Sequence, residues 1–187
     1  TFIDYNVEIG LKTKILPNTH LEGISKIGKN CTIGPNASVS NSVIGNNTAI
    51  VSSTVNQSQI DNNVAIGPYS HIRPKTLVMS NVKIGTNVEI KNSTISSYSK
   101  INHFAYIGDA KLQESVNIGA GVVTANFDGS NKSKTKIGKN VFIGSNSTLI
   151  APVSVGDDAY IGAGSVVTKN IPKNQTWAGN PAKLLKK

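Results

Sequence analysis

Two basic side chains that could bind an oxyanion lie eighteen positions apart, at Arg73 and Lys91. Arg73 is the only arginine among the nineteen basic residues of the chain, and a guanidinium forms paired hydrogen bonds to phosphate that an ammonium cannot form. Two cations held close together repel unless an anion lies between them or solvent screens them. The pair therefore indicates either a phosphate clamp or two solvated charges.

His103 is a candidate general base, because an imidazole exchanges protons near neutral pH. It follows Ile101 by two positions, which predicts that it lies near the end of a strand. A lone histidine is also common as a turn residue, and that alternative stays open. His20 and His71 do not share its phase in the sequence, which argues against a three-histidine zinc site, so we expect no bound metal.

A repeat of six residues must position these side chains. An aliphatic residue recurs every sixth position over residues 3–39, 66–90 and 137–167, and glycine often follows it. Such a period fits neither a helix nor strict alternation, and it predicts a parallel β-helix. Each hexapeptide forms one strand and one turn, and three of them, about eighteen residues, close a triangular coil. The predicted fold class is therefore all-β, a stack of hexapeptide coils with aliphatic side chains inside.

The repeat has five shortened steps and one large break. Steps of five residues lead to Ile44, Val55, Ile60, Ile95 and Leu112, and we interpret them as shortened corners. The break lies between Ile118 and Ile137, and its polar stretch at 124–135 is rich in turn formers. We expect this stretch to protrude as a loop that carries function, with a tolerated surface insertion as the alternative.

Composition indicates which class of ligand and which cellular compartment to expect. The net charge is +9, but the lysines are scattered among few aromatic residues, which favours a small polyanionic ligand over nucleic acid. Cys31 is the only cysteine and fits a reducing, cytoplasmic compartment, and no apolar run predicts a membrane span. Because the chain opens with Thr1 and has its only methionine at Met79, we expect it to be part of something longer.

Five motifs, in order, closely resemble the acetyltransferase domain of the bacterial bifunctional enzyme that makes UDP-N-acetylglucosamine. The resemblance covers nearly the whole chain and is densest from 72 to 164. The motifs are Arg73-Pro74, Asn87-Val88-Glu89-Ile90-Lys91, His103-Phe104-Ala105-Tyr106-Ile107-Gly108-Asp109-Ala110, Val116-Asn117-Ile118-Gly119-Ala120-Gly121, and Asn126-Phe127-Asp128-Gly129 through Asn131-Lys132.

This resemblance implies a left-handed β-helix that forms a homotrimer. It implies acetyl transfer from acetyl-coenzyme A (acetyl-CoA) to the amino group of glucosamine 1-phosphate. We expect residues 1–187 to form a single acetyltransferase domain, with the family's amino-terminal nucleotidyltransferase domain absent from this chain.

The resemblance also implies roles for individual residues. His103 is similar to the family's general base, and Glu89 is similar to the partner that orients it. The implied sugar-phosphate and sugar contacts are Arg73, Lys91, Tyr106, Asn117 and Lys132. The implied acetyl-CoA contacts are Ala120, Asn126, Phe127, Ser145 and Ala163.

The chain departs from the family at two places. Phe127 stands where the family usually has tyrosine, and the tail at 177–183 lacks the arginine that the family uses for coenzyme A, so Lys183 is the candidate for that charge. Two other functions remain as alternatives. One is acyl transfer to another amino sugar or an amino acid, and the other is a non-catalytic β-helix such as an ice-binding or scaffold module, which the scattered Thr and Ser residues disfavour.

Overall fold

The computed structural model describes residues 1–185, and all regular structure in that range is β-strand. The strands form three sheets, of ten, nine and eleven strands, that run along the three sides of a solenoid. Neighbours within each sheet are parallel, except for the antiparallel final pair of the third sheet. This architecture confirms the predicted hexapeptide β-helix and is consistent with the left-handed form.

Most strands are two or three residues long. The first sheet contains, in stacking order, Phe2–Ile3, His20–Glu22, Ser38–Ser40, Thr54–Asn56, His71–Ile72, Glu89–Lys91, Tyr106–Gly108, Val123–Ala125, Thr148–Ile150 and Val166–Val167. The second sheet contains Glu8–Ile9, Lys26–Ile27, Val43–Ile44, Gln59–Ile60, Leu77–Val78, Thr94–Ile95, Ala110–Leu112, Thr135–Ile137 and Val153–Val155. The third contains Lys14–Ile15, Thr32–Ile33, Ala49–Ile50, Ala65–Ile66, Lys83–Thr86, Lys100–His103, Asn117–Ile118, Phe142–Ile143, Tyr160–Ile161, Thr176–Gly179 and Ala182–Leu184.

The aliphatic residue of each hexapeptide points inward and stacks on its counterpart in the next coil. Ile72, Ile90 and Ile107, for example, are paired in register in the first sheet and are fully buried. Full burial of such a side chain contributes about 1.5–3 kcal/mol relative to an exposed one. Coils that contain five-residue steps keep this stacking, as at Ile44 and Ile60, so those steps are shortened corners as expected.

The corners require a left-handed backbone conformation. Among residues 1–185, twenty-two non-glycine residues have positive φ. More than half of them are asparagine, which tolerates this conformation because its short side chain can hydrogen-bond locally. Some of these amides also bond from coil to coil, as Asn18 donates to Asn36 over 2.8 Å.

Two corners matter for the site. We call the turn from the third to the first sheet corner 3/1, and the turn from the first to the second sheet corner 1/2.

The large break in the repeat is shorter than the sequence suggested. Thr124 is fully buried in the strand Val123–Ala125, and its hydroxyl accepts from the N–H of Gly108 over 2.8 Å and donates to the Gly108 carbonyl over 3.0 Å. Thr124 therefore takes the inward place of an aliphatic residue, and Thr135 is buried at the start of the next strand. The protruding loop covers 126–134, so the predicted bounds of 124–135 were too wide at both ends.

Residues 1–185 contain no helix that is long and apolar enough to cross a membrane.

Candidate active site

Arg73 and Lys91 lie side by side at the end of the first sheet. The residues before them, Ile72 and Ile90, are paired in register, and the Arg73 N–H donates to the Ile90 carbonyl over 2.8 Å. The predicted stacking of the two cations one coil apart is therefore confirmed. Both side chains are half-buried at the outer face of the sheet beside corner 1/2.

The protruding loop adds a third cation. Hydrogen bonding with the amino group of Lys132, and then the charge on Lys132, lowers the pKa of Lys91 below its ordinary value. Burial and the charge on Arg73 lower it further. We call Arg73, Lys91 and Lys132 the cation cluster. Neighbouring cations repel one another, so the cluster favours an anion with several oxygens, such as a phosphate.

Glu89 binds Arg73 within this cluster. The Arg73 Nη1 donates to Glu89 Oε1 over 2.7 Å, and the two side chains are 38% and 39% exposed. The hydrogen bond to Glu89 raises the pKa of Arg73, and burial partly opposes it. Within the described residues no hydrogen bond joins Glu89 to His103. The orienting role of Glu89 toward His103 therefore stays a prediction, while its contact in the folded chain is with the arginine.

Tyr106 lies one coil beyond Glu89 in the first sheet. It pairs in register with Glu89, and its ring passes over Gly108, where a Cβ would lie 2.5 Å from the Tyr106 Oη. Glycine at this position therefore leaves the space into which the phenol extends. The side chain is half-buried, with its hydroxyl directed along the strand toward corner 1/2.

His103 ends the strand Lys100–His103 with its side chain exposed at corner 3/1. Successive backbone bonds run from the Gly121 N–H to the His103 carbonyl, from Asn146 to Ala120, and from Gly164 to Ser145. These bonds stack four residues directly on one another in successive coils, and we call them the His103 column. Its members are His103, Ala120, Ser145 and Ala163.

The small side chains of this column leave an open edge next to the imidazole. Coils in a β-solenoid are ~4.8 Å apart, so the four stacked positions cover roughly 15 Å. Three residues that the resemblance assigned to acetyl-CoA thus share one edge with the predicted general base. A thin, extended ligand could lie along this edge with one end at His103.

The loop forms a small hairpin. Phe127 and Lys132 form an antiparallel bridge, and the Ser133 N–H donates to the Asn126 carbonyl over 2.8 Å. At the tip, Asp128 Oδ1 accepts from the N–H groups of Ser130 and Asn131 over 2.8 and 2.7 Å, and these bonds lower the pKa of Asp128. The hairpin exposes the Phe127 ring and returns Lys132 toward Lys91.

Two of the predicted site residues lie elsewhere in the same chain. Asn117 points outward from the third sheet, in register with Lys100 and Phe142, around a corner from the cation cluster. Lys183 is exposed in the terminal antiparallel pair with Ala178. Neither residue contacts the cluster within this chain.

Sequence reasoning singled out no role for Asp109, although the structure places it behind the cation cluster. The residue is 8% exposed, and its carboxylate accepts hydrogen bonds from the side-chain amides of Asn92 and Asn126. Burial raises the pKa of Asp109, but the two amides and the charges of Lys132 and Lys91 outweigh burial and lower it. The signal available in the sequence was an acid at a corner position where asparagine predominates.

The stacked hexapeptide coils agree with the two families whose models match this chain. Residues 134–169 match the family described as hexapeptide repeat of succinyl-transferase. Residues 30–117 match the family described as GlmU-like, C-terminal hexapeptide.

Curated relatives are similar to this chain over nearly its whole length. The chain is 48% identical over 174 residues to the bifunctional protein GlmU of Geobacillus sp. (strain WCH70), covering 93% of this chain and 38% of the relative. It is 46% identical over 186 residues to that of Thermotoga sp. (strain RQ2), covering 100% and 42%. It is 51% identical over 173 residues to that of Caldanaerobacter subterraneus subsp. tengcongensis, covering 92% and 38%. The chain thus spans about two fifths of the length of these relatives.

Solved structures share the fold. A GDP-perosamine N-acetyltransferase variant from Caulobacter crescentus, in complex with CoA and GDP-perosamine, has a TM-score of 0.60 and 25% identity, covering 66% of this chain and 57% of its own. The UDP-N-acetylglucosamine acyltransferase from Campylobacter jejuni has a TM-score of 0.63 and 21% identity, covering 92% and 74%.

Proposed function

We propose that this chain transfers the acetyl group of acetyl-CoA to the amino group of glucosamine 1-phosphate, forming N-acetylglucosamine 1-phosphate. The observation that carries the proposal is the cation cluster of Arg73, Lys91 and Lys132, which suits a phosphate monoester. The match to the GlmU-like family supports the acceptor, and the similarity to the Caulobacter enzyme crystallised with CoA supports the donor.

The proposed reaction starts with proton removal by His103. The sugar nitrogen attacks the carbonyl carbon of the thioester and loses a proton to the imidazole. The C–S bond then breaks, and the leaving thiolate takes up a proton. The cation cluster holds the phosphate and thereby fixes the position of the amine, which reduces the entropic cost of the attack.

The His103 column is the proposed path of the pantetheine arm. Ala120 and Ala163 leave room for close approach of the arm, and Ser145 offers a hydroxyl to it. Asn126 has one amide N–H committed to Asp109, so its remaining N–H or its Oδ1 is the group available to acetyl-CoA. Amide and hydroxyl donors of this kind could stabilise the oxyanion that develops on the thioester.

We further propose a homotrimer with sites between subunits, working in the cytoplasm. Asn117 lies on the third sheet and the cation cluster on the first, and the outer faces of two sides of a triangular coil point away from each other. One small sugar phosphate is therefore expected to contact Asn117 of one chain and the cluster of another. Light scattering of active protein tests the proposed homotrimer, and a monomer mass would contradict it.

The single buried Cys31 is compatible with the proposed cytoplasmic location, which is a reducing compartment.

A thiol-release assay tests the reaction directly. Purified protein with acetyl-CoA and glucosamine 1-phosphate should release free CoA thiol in a one-to-one ratio with the acetylated sugar. Glucosamine without the phosphate should react with a much higher KM. Absence of thiol release with both sugars would contradict the proposal.

Transfer to an amino sugar carried by a nucleoside diphosphate is the second candidate. The observation that favours it is the likeness to the Caulobacter enzyme crystallised with GDP-perosamine. A nucleoside diphosphate amino sugar included as a third acceptor in the same assay distinguishes the two. A higher kcat/KM with that acceptor than with glucosamine 1-phosphate would establish the second candidate.

A further inference from the structure

Asp109 contacts both ends of the loop that supplies Lys132. Its side chain accepts from the Asn126 amide where the loop leaves the coil, and its main-chain carbonyl accepts from the Thr135 N–H, over 3.2 Å, where the loop returns. Its own N–H donates to the Lys91 carbonyl over 3.0 Å. One residue therefore ties the base of the loop to the strand that carries a member of the cation cluster.

A carboxylate at this place needs a reason, because burial of a charge costs free energy unless partners compensate for it. Amides alone complete the same kind of corner ladder elsewhere, as between Asn18 and Asn36 over 2.8 Å, and between Asn47 and Asn63 over 3.2 Å. An asparagine in place of Asp109 could likewise accept one hydrogen bond and donate the other.

What the carboxylate adds is negative charge directed at two lysines. The charges on Lys91 and Lys132 both act on Asp109, and its charge in turn opposes the repulsion that Lys132 and Arg73 exert on Lys91. Before a substrate phosphate arrives, repulsion within the cation cluster would push Lys132, and with it the loop, away from the sheet. Asp109 is the acid behind the cluster that opposes this repulsion, while Glu89 is bonded to Arg73.

We propose that Asp109 is a positioning residue of the phosphate site, which fixes the base of the loop and serves as the internal counter-ion that keeps Lys132 beside Lys91 while the site is empty. When a phosphate binds, it takes over the counter-ion role, and the hydrogen bonds alone then hold the loop. This inference rests on the proposed function for its substrate, but its electrostatic part concerns any phosphate-like anion.

Limited trypsin digestion tests the counter-ion, because trypsin cleaves after Lys132 and Lys134 within the loop. Asp109→Asn keeps the ladder and removes the charge. We expect loop cleavage to be about 3- to 10-fold faster than in the parent protein, since cleavage follows the population of the open loop. Added pyrophosphate should close most of that difference. Equal cleavage of the two proteins, or a difference that pyrophosphate leaves unchanged, would overturn the proposal.

Asp158→Asn is the matched control. Asp158 is also a corner carboxylate with positive φ, and it accepts from the Asn140 amide one coil away over 3.0 Å. It lies on another corner of the solenoid, away from the cation cluster. Trypsin should cleave the loop of the Asp158→Asn variant at the same rate as the loop of the parent protein.

Kinetics test the positioning role. Asp109→Ala removes both the charge and the side-chain bond to Asn126, so kcat/KM for glucosamine 1-phosphate should fall about 10- to 100-fold, as when a supporting residue is lost. Asp109→Asn should recover most of this loss, because the phosphate supplies the missing charge. Equal loss in both variants would reject the hydrogen-bond part. If the parent protein acetylates no sugar phosphate, the proposed function fails, while the trypsin comparison still decides the role of Asp109.

Discussion

His103 is exposed at the end of its strand, and the residues stacked on it in the next coils are small. A general base needs access to the amine, and an extended thioester needs an edge free of bulky side chains. The His103 column meets both requirements with residues that are separated by as many as sixty positions in the sequence. At the scale of the residue, the proposed chemistry therefore uses an imidazole beside small neighbours.

Replacement of His103 by alanine should lower kcat by ~10²–10⁴-fold, the usual contribution of a general base. The KM for acetyl-CoA should change little, because the imidazole is proposed to act on the amine. Steady-state kinetics with both substrates varied give these parameters. His20→Ala is the control, since His20 lies near Glu22 at the far end of the first sheet and should leave turnover unchanged. Near-parental turnover in His103→Ala would reduce His103 to a turn residue.

Arg73→Lys keeps the charge but loses the planar guanidinium, which bonds Glu89 and is proposed to bond the substrate phosphate. We expect a cost of roughly 1–3 kcal/mol in binding of glucosamine 1-phosphate, the scale of a charge-assisted hydrogen bond. The KM for the phosphorylated sugar should rise accordingly, with a smaller effect for glucosamine. Comparison of the two sugars in the thiol-release assay measures this. If the variant handled both sugars like the parent, Arg73 would be a solvated surface charge.

The loop is an element whose shape is set by hydrogen bonds rather than by burial. Its two arms are joined by the Phe127–Lys132 bridge, and its tip is closed by the carboxylate of Asp128. Because it stands outside the stacked coils, it can change without loss of the aliphatic core. The loop can therefore position Lys132 while contributing little to the stability of the fold.

Asp128→Ala should loosen the tip of this loop and raise the KM for glucosamine 1-phosphate, with little change in the melting temperature. Hydrogen bonds from the Ser130 and Asn131 N–H groups hold the pKa of Asp128 below its ordinary value of 3.8. The ionised carboxylate therefore stabilises the turn fully when the pH is above the ordinary pKa. This stabilisation is lost as the pH falls through the lowered pKa. Amide hydrogen exchange at Ser130 and Asn131 should therefore differ between parent and variant at neutral pH, and the difference should disappear in strong acid. Equal exchange at neutral pH would contradict this account.

The whole molecule is a rigid prism whose sides face in three directions. This geometry keeps Asn117 and the cation cluster on different sides of one chain. A rigid solenoid of short strands cannot bend to bring them together, so a site that uses both would need a second copy of the chain. The proposed homotrimer would supply that copy.

Subunit mixing tests this arrangement. Asn117→Ala and Arg73→Ala should each impair acetyl transfer when present in every subunit. After joint unfolding and refolding, a mixture of the two variants should regain a clear fraction of parental activity, because some sites then combine an intact Asn117 with an intact Arg73. Separately refolded variants serve as the control. No recovery in mixed oligomers would mean that both side chains act from the same chain.

The sequence determined the fold because a six-residue period admits few other solutions. Once every sixth residue is inward, the register of neighbouring coils follows, and with it the adjacency of Arg73 and Lys91. The position of His103 at a strand end followed in the same way. The extent of the loop did not follow, because Thr124 and Thr135 occupy buried positions that an aliphatic pattern does not recognise.

Only the tertiary structure decided which side chains meet across corner 1/2. Lys132 reaches Lys91 through a hairpin whose path depends on its own hydrogen bonds, and no spacing in the sequence encodes that path. Glu89 pairs with Arg73 because the two side chains lie on adjacent coils within reach of each other, while the orienting role toward His103 that the resemblance implied stays a prediction. Asp109 acquired its role from burial between two amides and from nearby charge. Periodic contacts can be read from a repeat, but electrostatic partners depend on where long side chains end in space.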